Sequence, residues 1–296
     1  MEKLLTQKLT NGEFLSENAD IAPVNWESVS APFSTTEVVN VNSQDWVISE
    51  TQLDSRTEHQ TYRTATGQVV HWKAADGMFE PFYESVAYEL GSSAGVSFPF
   101  TSPAFFTGSG GVIVLGVVSL VLFTTTLAAL PEEAREVFFL RCNKTTFVGE
   151  SVLAVWWRNF DWSNKFDSVA VGFMGENTNK LYYYVFDHSH IYRDPSGERN
   201  IENLQSYSIS GNFWQRKYLK FNFFDCVPFI EKIEKIPEEF IREVFTKWAE
   251  KIGNIDKPNM DKYLSKASEF SEFLIQSKNT LRRELELFFQ GVSFAS

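Results

Sequence analysis

Residues 69–99 read VVHWKAADGMFEPFYESVAYELGSSAGVSFP, and this stretch decides the fold class. Its first six residues are rich in β-branched and aromatic side chains and carry Lys73, which predicts a strand with a lysine at its end. Pro81 then suits the first turn of a helix, and apolar side chains recur at a spacing of four residues after it. The stretch therefore predicts a strand that carries a lysine, followed by a helix that carries Glu84.

Further strands are predicted on both sides of this stretch. Upstream, EVVNVN and QDWVIS are short, rich in Val, Ile and Trp, and separated by polar residues. Downstream, VIVLGVVSLVLF at 112–123 is uncharged, so a membrane span has to be considered. The run is shorter than the ~20 apolar residues that a spanning helix needs. We therefore expect a buried strand that leads to a hinge near Thr124, and no membrane association.

The second half of the chain carries helical patterns around one predicted hairpin. LPEEAREVFFLRC, ESVLAVWWRN and IPEEFIREVFTKWAEKI each have helical spacing, and residues 259–289 continue as one or two further amphipathic helices. Between them, SVAVGF and LYYYVFD are joined by a polar turn, which predicts two antiparallel strands. The loop NFDWSNKFD precedes this hairpin, and Asp187 ends it.

This order of elements predicts a mixed α+β fold with two lobes. A β-rich N-terminal lobe is expected at 38–125 and a mainly helical C-terminal lobe at 126–296. Residues 1–37 show no sustained period, and we expect them to form a loosely ordered leader.

Composition restricts the classes of partner. Asp and Glu outnumber Lys and Arg by 38 to 27, and the net charge of −11 repels nucleic acids and anionic membrane surfaces. Cys142 and Cys226 have no paired spacing, and the first residues lack the apolar core of a signal peptide. We therefore expect a cytoplasmic protein with reduced thiols that does not bind nucleic acid.

The polar residues of these elements follow the order that phosphoryl transfer from ATP requires. A lysine neutralises the phosphates that are not transferred, an acid holds that lysine, a loop aspartate orients the acceptor hydroxyl, and oxygen ligands hold Mg²⁺. Lys73, Glu84, Asp161 and Asp187 stand in this order. Each alone fits a surface charge or a turn residue equally well, and only the ordered set indicates a kinase.

The same stretches resemble the HipA-like kinases, in particular their short, single-unit members. The resemblance runs from about Trp46 to about Phe289 and is carried by VVHWKA, ESVAYELGSSAGVSFP, NFDWSNKFDSVAV and VFDHSHIY. It implies a bilobal, protein-kinase-like fold and transfer of the ATP γ-phosphate, with Mg²⁺, to a Ser or Thr of a protein substrate. It also implies that Lys73 binds ATP phosphates, Glu84 pairs with Lys73, Asp161 is catalytic and Asp187 binds Mg²⁺.

Two segments depart from the family pattern. After the catalytic aspartate the family has a basic residue and, about five positions on, an Asn, where this chain has Trp162 and Phe166. Either Asn164 or Asp167 would then supply the second Mg²⁺ oxygen, and Asp167 is favoured because it directly precedes the SVAV strand.

The second departure is the phosphate loop. ISETQLDSRTEHQTYR, at 48–63, has no glycine to let backbone N–H groups approach phosphates closely, and Ser55 and Thr57 are its candidate phosphate contacts. Two alternatives to an active protein kinase therefore stay open. One is a pseudokinase that acts as a binding or interaction protein, and the other is a small-molecule phosphotransferase.

Overall fold

The computed structural model describes residues 20–49, 59–159, 166–174, 180–186 and 221–290. Within these ranges the N-terminal region is rich in strands and the C-terminal region is mainly helical. The predicted α+β class is therefore confirmed.

The larger sheet belongs to the N-terminal region and has six strands in the order β2-β6-β7-β5-β4-β3. All neighbours in it are antiparallel except β2 and β6, which are parallel. The strands are β2 (Val39–Asn40), β3 (Val47–Ile48), β4 (His59–Arg63), β5 (Val69–Ala74), β6 (Thr101–Thr107) and β7 (Ile113–Val121).

The uncharged run at 112–123 forms strand β7, as its length and its β-branched residues predict. It lies inside the sheet, paired with β5 on one side and β6 on the other. Across the ranges that the structure describes, no helix has the length and apolar character needed to cross a membrane.

Helix α1 (Glu80–Ser93) follows β5 after a short connection and has Pro81 in its first turn. Gly95 ends it with φ +76°, a left-handed conformation that glycine adopts without strain, and the Val96 N–H donates to the Gly91 carbonyl across the helix end. The helix packs between the sheet and the C-terminal helices, where Phe82 meets Phe245 with ring centroids 5.7 Å apart. It therefore links the two regions.

The smaller sheet has four strands in the order β1-β10-β9-β8. β9 and β10 form the antiparallel hairpin that the sequence predicts, and β8 adds to β9 directly after the connection that leaves β7. The strands are β1 (Asp20–Pro23), β8 (Thr125–Thr126), β9 (Val169–Phe173) and β10 (Lys180–Val185).

Residues 20–37 differ from the loosely ordered leader that the sequence predicts. β1 pairs in parallel with β10. Ile21 within β1 and Val24 directly after it are both buried. Trp26 contacts the rings of Tyr184 and Phe100. The segment has no hydrophobic period because its individual residues pair and pack against distant parts of the chain. No local repeat in the sequence therefore indicates that it is structured.

In the described part of the C-terminal region, five α-helices contribute to the main core. The helix that follows Pro237 buries Ile241, Val244, Phe245 and Trp248. Residues 260–289 form one continuous helix. The helices are α2 (Glu132–Arg141), α3 (Thr145–Trp156), α4 (Phe223–Glu234), α5 (Glu238–Ile255) and α6 (Met260–Phe289).

Candidate active site

Lys73 lies on β5, on the face of the larger sheet that is turned toward α1. Val70 and Trp72 alternate with it and belong to a hydrophobic cluster on the opposite face, which also contains Phe33 of the N-terminal segment. The Lys73 Nζ lies 3.0 Å from Glu80 Oε1, and the two side chains are 27% and 7% exposed. The strand thus delivers its lysine to a largely buried carboxylate.

Glu80 is held at both carboxylate oxygens. Oε1 accepts from Lys73, and Oε2 accepts from the Asp76 N–H at 2.6 Å. The residue stands at the start of α1, where unpaired N–H groups and the helix dipole favour a negative charge. This arrangement fixes the carboxylate and, through it, the position of the lysine ammonium group.

The identity of this acid differs from the sequence prediction, which assigned the pairing to Glu84. Glu84 is buried one helical turn further along α1, but the ion pair that the structure gives Lys73 is with Glu80. The connection between β5 and α1 is short, so the strand end lies beside the first helical turn. The signal that could have identified Glu80 is its place directly before Pro81, where a helix start favours an acid.

Polar side chains continue beside Lys73 on the same face of the sheet. Thr61, His71 and Ser119 lie opposite one another across β4, β5 and β7. Burial first, and then the nearby His59 and Lys73, lower the pKa of His71 to about 4. His71 is therefore neutral at pH 7 and adds no charge next to Lys73.

Asp167 lies at the entrance to the β9–β10 hairpin. It belongs to the 3₁₀ turn Phe166–Ser168 and is exposed. The Phe186 N–H donates to the Ser168 carbonyl at 2.9 Å, so the start of β9 and the end of β10 lie side by side. Asp187 follows Phe186 in the sequence. The exposed carboxylate of Asp167, at this end of the hairpin, is an oxygen donor of the type that Mg²⁺ prefers.

The other predicted site residues lie outside the described ranges. They are Asp161, Asn164, Asp187, Ser55 and Thr57. Among the residues that are described, no group of three or more His, Cys, Asp or Glu side chains could hold a metal ion. The catalytic role of Asp161, the metal-binding roles of Asn164 and Asp187 and the phosphate contacts of Ser55 and Thr57 therefore remain predictions.

Comparison with known proteins gives similarity at the level of structure but not of sequence. No protein-family model matches the chain, and no curated protein matches it significantly. A solved structure that it resembles is the Helicobacter pylori proinflammatory kinase CtkA, with a TM-score of 0.49 and 11% sequence identity. The match covers 84% of this chain and 99% of that one. At this similarity the likeness assigns no activity and no site residue to the chain.

The described parts of the candidate site come from three places along the chain. The ion pair on β5 and α1 comes first, the connection from β7 to β8 comes next, and the β9–β10 hairpin end follows. Leu122 in that connection donates its N–H to the Tyr184 hydroxyl at 3.2 Å, which ties the connection to β10. The two sheets are therefore joined directly next to the hairpin.

Proposed function

We propose that this chain is an ATP- and Mg²⁺-dependent kinase that transfers the γ-phosphate to a Ser or Thr hydroxyl of a protein substrate. The observation that carries the proposal is the ion pair between Lys73 and Glu80. In protein kinases a strand lysine paired with a helix glutamate is the element that binds the phosphates of ATP. A partly exposed lysine held by a buried, doubly bound carboxylate suits that task.

The remaining roles follow the sequence prediction. Asp161 orients the acceptor hydroxyl, and Asp187 binds Mg²⁺ together with Asp167 or Asn164. Magnesium, when bound, neutralises charge on the phosphates and holds them for in-line transfer. Lys73 contributes a second positive charge, and Glu80 keeps that charge at a fixed place.

The test is transfer from γ-labelled ATP by the purified chain, with and without cell lysate. Wild type should label protein, and Lys73→Met should lower the rate by about 100-fold or more, since it removes a charge that stabilises the transferring phosphates. Lys251→Met is the matched control, because Lys251 forms a surface ion pair with Glu37. Its rate should stay near that of wild type.

Glu80→Gln and Glu84→Gln separate the two candidate acids. Glu80→Gln keeps the shape of the side chain but removes the charge that holds Lys73, so we expect a loss of about 10- to 100-fold in kcat/KM, on the scale of one positioned electrostatic contact. A greater loss for Glu84→Gln at equal stability would return the role to Glu84.

The two alternatives give different outcomes in the same assay. A small-molecule phosphotransferase would consume ATP without labelling any protein. A pseudokinase would transfer no label at all. It is favoured by the glycine-free segment at 48–63 and by Trp162 and Ser163 after the candidate catalytic aspartate. Thermal stabilisation by Mg-ATP would then show whether such a pseudokinase still binds nucleotide.

A further inference from the structure

Arg158 adopts a backbone conformation that is uncommon for its residue type. Among the described residues it is the one non-glycine residue with positive φ, at 54°. Directly after α3, its N–H donates to the Val155 carbonyl, and the next N–H, of Asn159, donates to the Ala154 carbonyl at 2.8 Å. These bonds form a helix-ending motif in which the left-handed position is usually a glycine. An arginine at this place is strained relative to glycine.

The arginine side chain makes an ion pair that a glycine at this position could not make. Its guanidinium binds both carboxylate oxygens of Glu284, at 2.7 and 2.9 Å, and the two side chains are 9% and 19% exposed. Thr280 donates a further hydrogen bond to Glu284 Oε1 at 2.6 Å. A two-point Arg–carboxylate contact fixes orientation as well as distance. Arg158 is therefore held in one geometry by α6.

Burial alone would raise the pKa of Glu284, but the hydrogen bonds and charge of Arg158, together with Thr280, outweigh it and leave that pKa below its ordinary value. Glu284 is thus ionised at neutral pH.

Helix α6 also holds the end of α3 at a second place. Trp156 donates its indole N–H to the Leu274 carbonyl at 3.0 Å, and Ser277 donates its hydroxyl to the Trp156 carbonyl at 2.9 Å. These contacts already attach α3 to α6. The additional ion pair acts on the one residue that turns the chain out of α3, so it sets the direction in which the chain continues.

We propose that Arg158 and Glu284 are positioning residues for phosphoryl transfer. The inference rests on the proposed function, because the chain that leaves Arg158 reaches the candidate catalytic residue Asp161 three positions later. The ion pair fixes the backbone at the start of that segment. Rates of transfer fall steeply when a reacting group is misplaced by about 1 Å. The C-terminal helix thereby takes part in catalysis without touching the substrate.

Arg158→Gly is the decisive variant, because glycine adopts the left-handed conformation freely while the link to Glu284 is lost. We expect kcat to fall by about 10- to 100-fold with little change in the KM for ATP. Glu284→Gln, which keeps the side-chain shape, should lower kcat in the same direction and serves as a second test should Arg158→Gly fold poorly.

The matched control is Glu234→Gln. Glu234 forms an equally close two-point pair with Arg282 of α6, but at an exposed position that is remote in sequence from the candidate loop. Its kcat should equal that of wild type.

Two results would overturn the inference. If Arg158→Gly and Glu284→Gln lower thermal stability but keep the wild-type kcat at a temperature where both are folded, the pair is structural only. If these variants changed KM and kcat by the same factor, the Arg158–Glu284 pair would likewise contribute only to the general stability of the site. Failure of the proposed function is distinguishable, because it appears in the wild-type protein as an absence of transfer.

Discussion

Glu80 shows how much one residue decides at this site. Its two carboxylate oxygens bind a side chain from β5 and a backbone N–H from the connection to α1. The Glu80 side chain is only 7% exposed, and leaving a buried acceptor unpaired costs about 1–3 kcal/mol. The carboxylate therefore stabilises the junction of strand and helix as well as orienting Lys73.

His71 gives a prediction at the same scale. Its pKa is about 4 in the folded protein, through burial first and then through His59 and Lys73, compared with about 6.5 in an unfolded chain. Between these values the unfolded state binds more protons than the folded state, so the free energy of unfolding falls as pH falls from about 6.5 toward 4. Above about pH 6.5 this contribution is constant.

His71→Gln should remove this dependence. Relative to the variant, wild type should lose on the order of 2–3 kcal/mol between pH 7.5 and pH 4, measured by urea unfolding at four or five pH values. Parallel pH profiles for the two proteins would contradict the prediction.

At the scale of elements, the close approach of β7 to β5 supports the candidate site. Gly116 lies opposite Ala74, and a Cβ at this position would come within 2.3 Å of the Lys73 carbonyl oxygen and 2.9 Å of the Trp72 indole nitrogen. A backbone atom cannot move aside without separating the two strands. The glycine is therefore needed for the pairing that holds Lys73 in place.

Gly116→Ala should lower the free energy of unfolding by about 1–3 kcal/mol, the usual range for overpacking. Gly108→Ala is the control, since the nearest atom to its added Cβ is the Val112 carbonyl oxygen at 3.7 Å, an ordinary contact. That variant should change stability by no more than about 0.5 kcal/mol. Urea unfolding measures the change in stability for both variants. If Gly116→Ala lowered stability no more than Gly108→Ala, the strands would accommodate the added Cβ without cost.

At the scale of the whole molecule, the N-terminal segment joins the two sheets. Trp26 packs edge-on against Tyr184 of β10, with ring centroids 5.2 Å apart, and against Phe100 next to β6, at 5.9 Å. The same cluster contains Leu120 of β7 and Ala170 of β9. One buried side chain thus contacts both sheets, on the side where β7 connects to β8.

Trp26→Ala should lower the free energy of unfolding by about 3–5 kcal/mol, as is usual for a buried aromatic residue. Trp46→Ala is the comparison, because Trp46 is only partly buried and its ring contacts are with Tyr62 of β4 and with Phe33, which packs in the same cluster on the larger sheet. Its cost should be smaller. A loss below about 1 kcal/mol for Trp26→Ala would mean that the segment is only loosely attached, as the sequence alone predicts.

The sequence by itself determined the elements that depend on neighbouring residues. The strand that carries Lys73, the helix start at Pro81, the strand within 112–123, the β9–β10 hairpin and the buried face after Pro237 all follow from local period and turn chemistry. These signals lie within a few residues of one another, so they can be read without knowing the fold. The α+β class follows from their order.

Only the tertiary structure decided which residues from different elements meet. Helix α1 packs against the C-terminal helices through contacts such as those of Phe82 with Phe245 and Tyr83 with Phe270, and its first turn places Glu80 in an ion pair with Lys73. The pairing of β1 with β10 and the link from Arg158 to Glu284 join residues far apart in the chain. Such contacts depend on packing between elements, and no local period in the sequence records them.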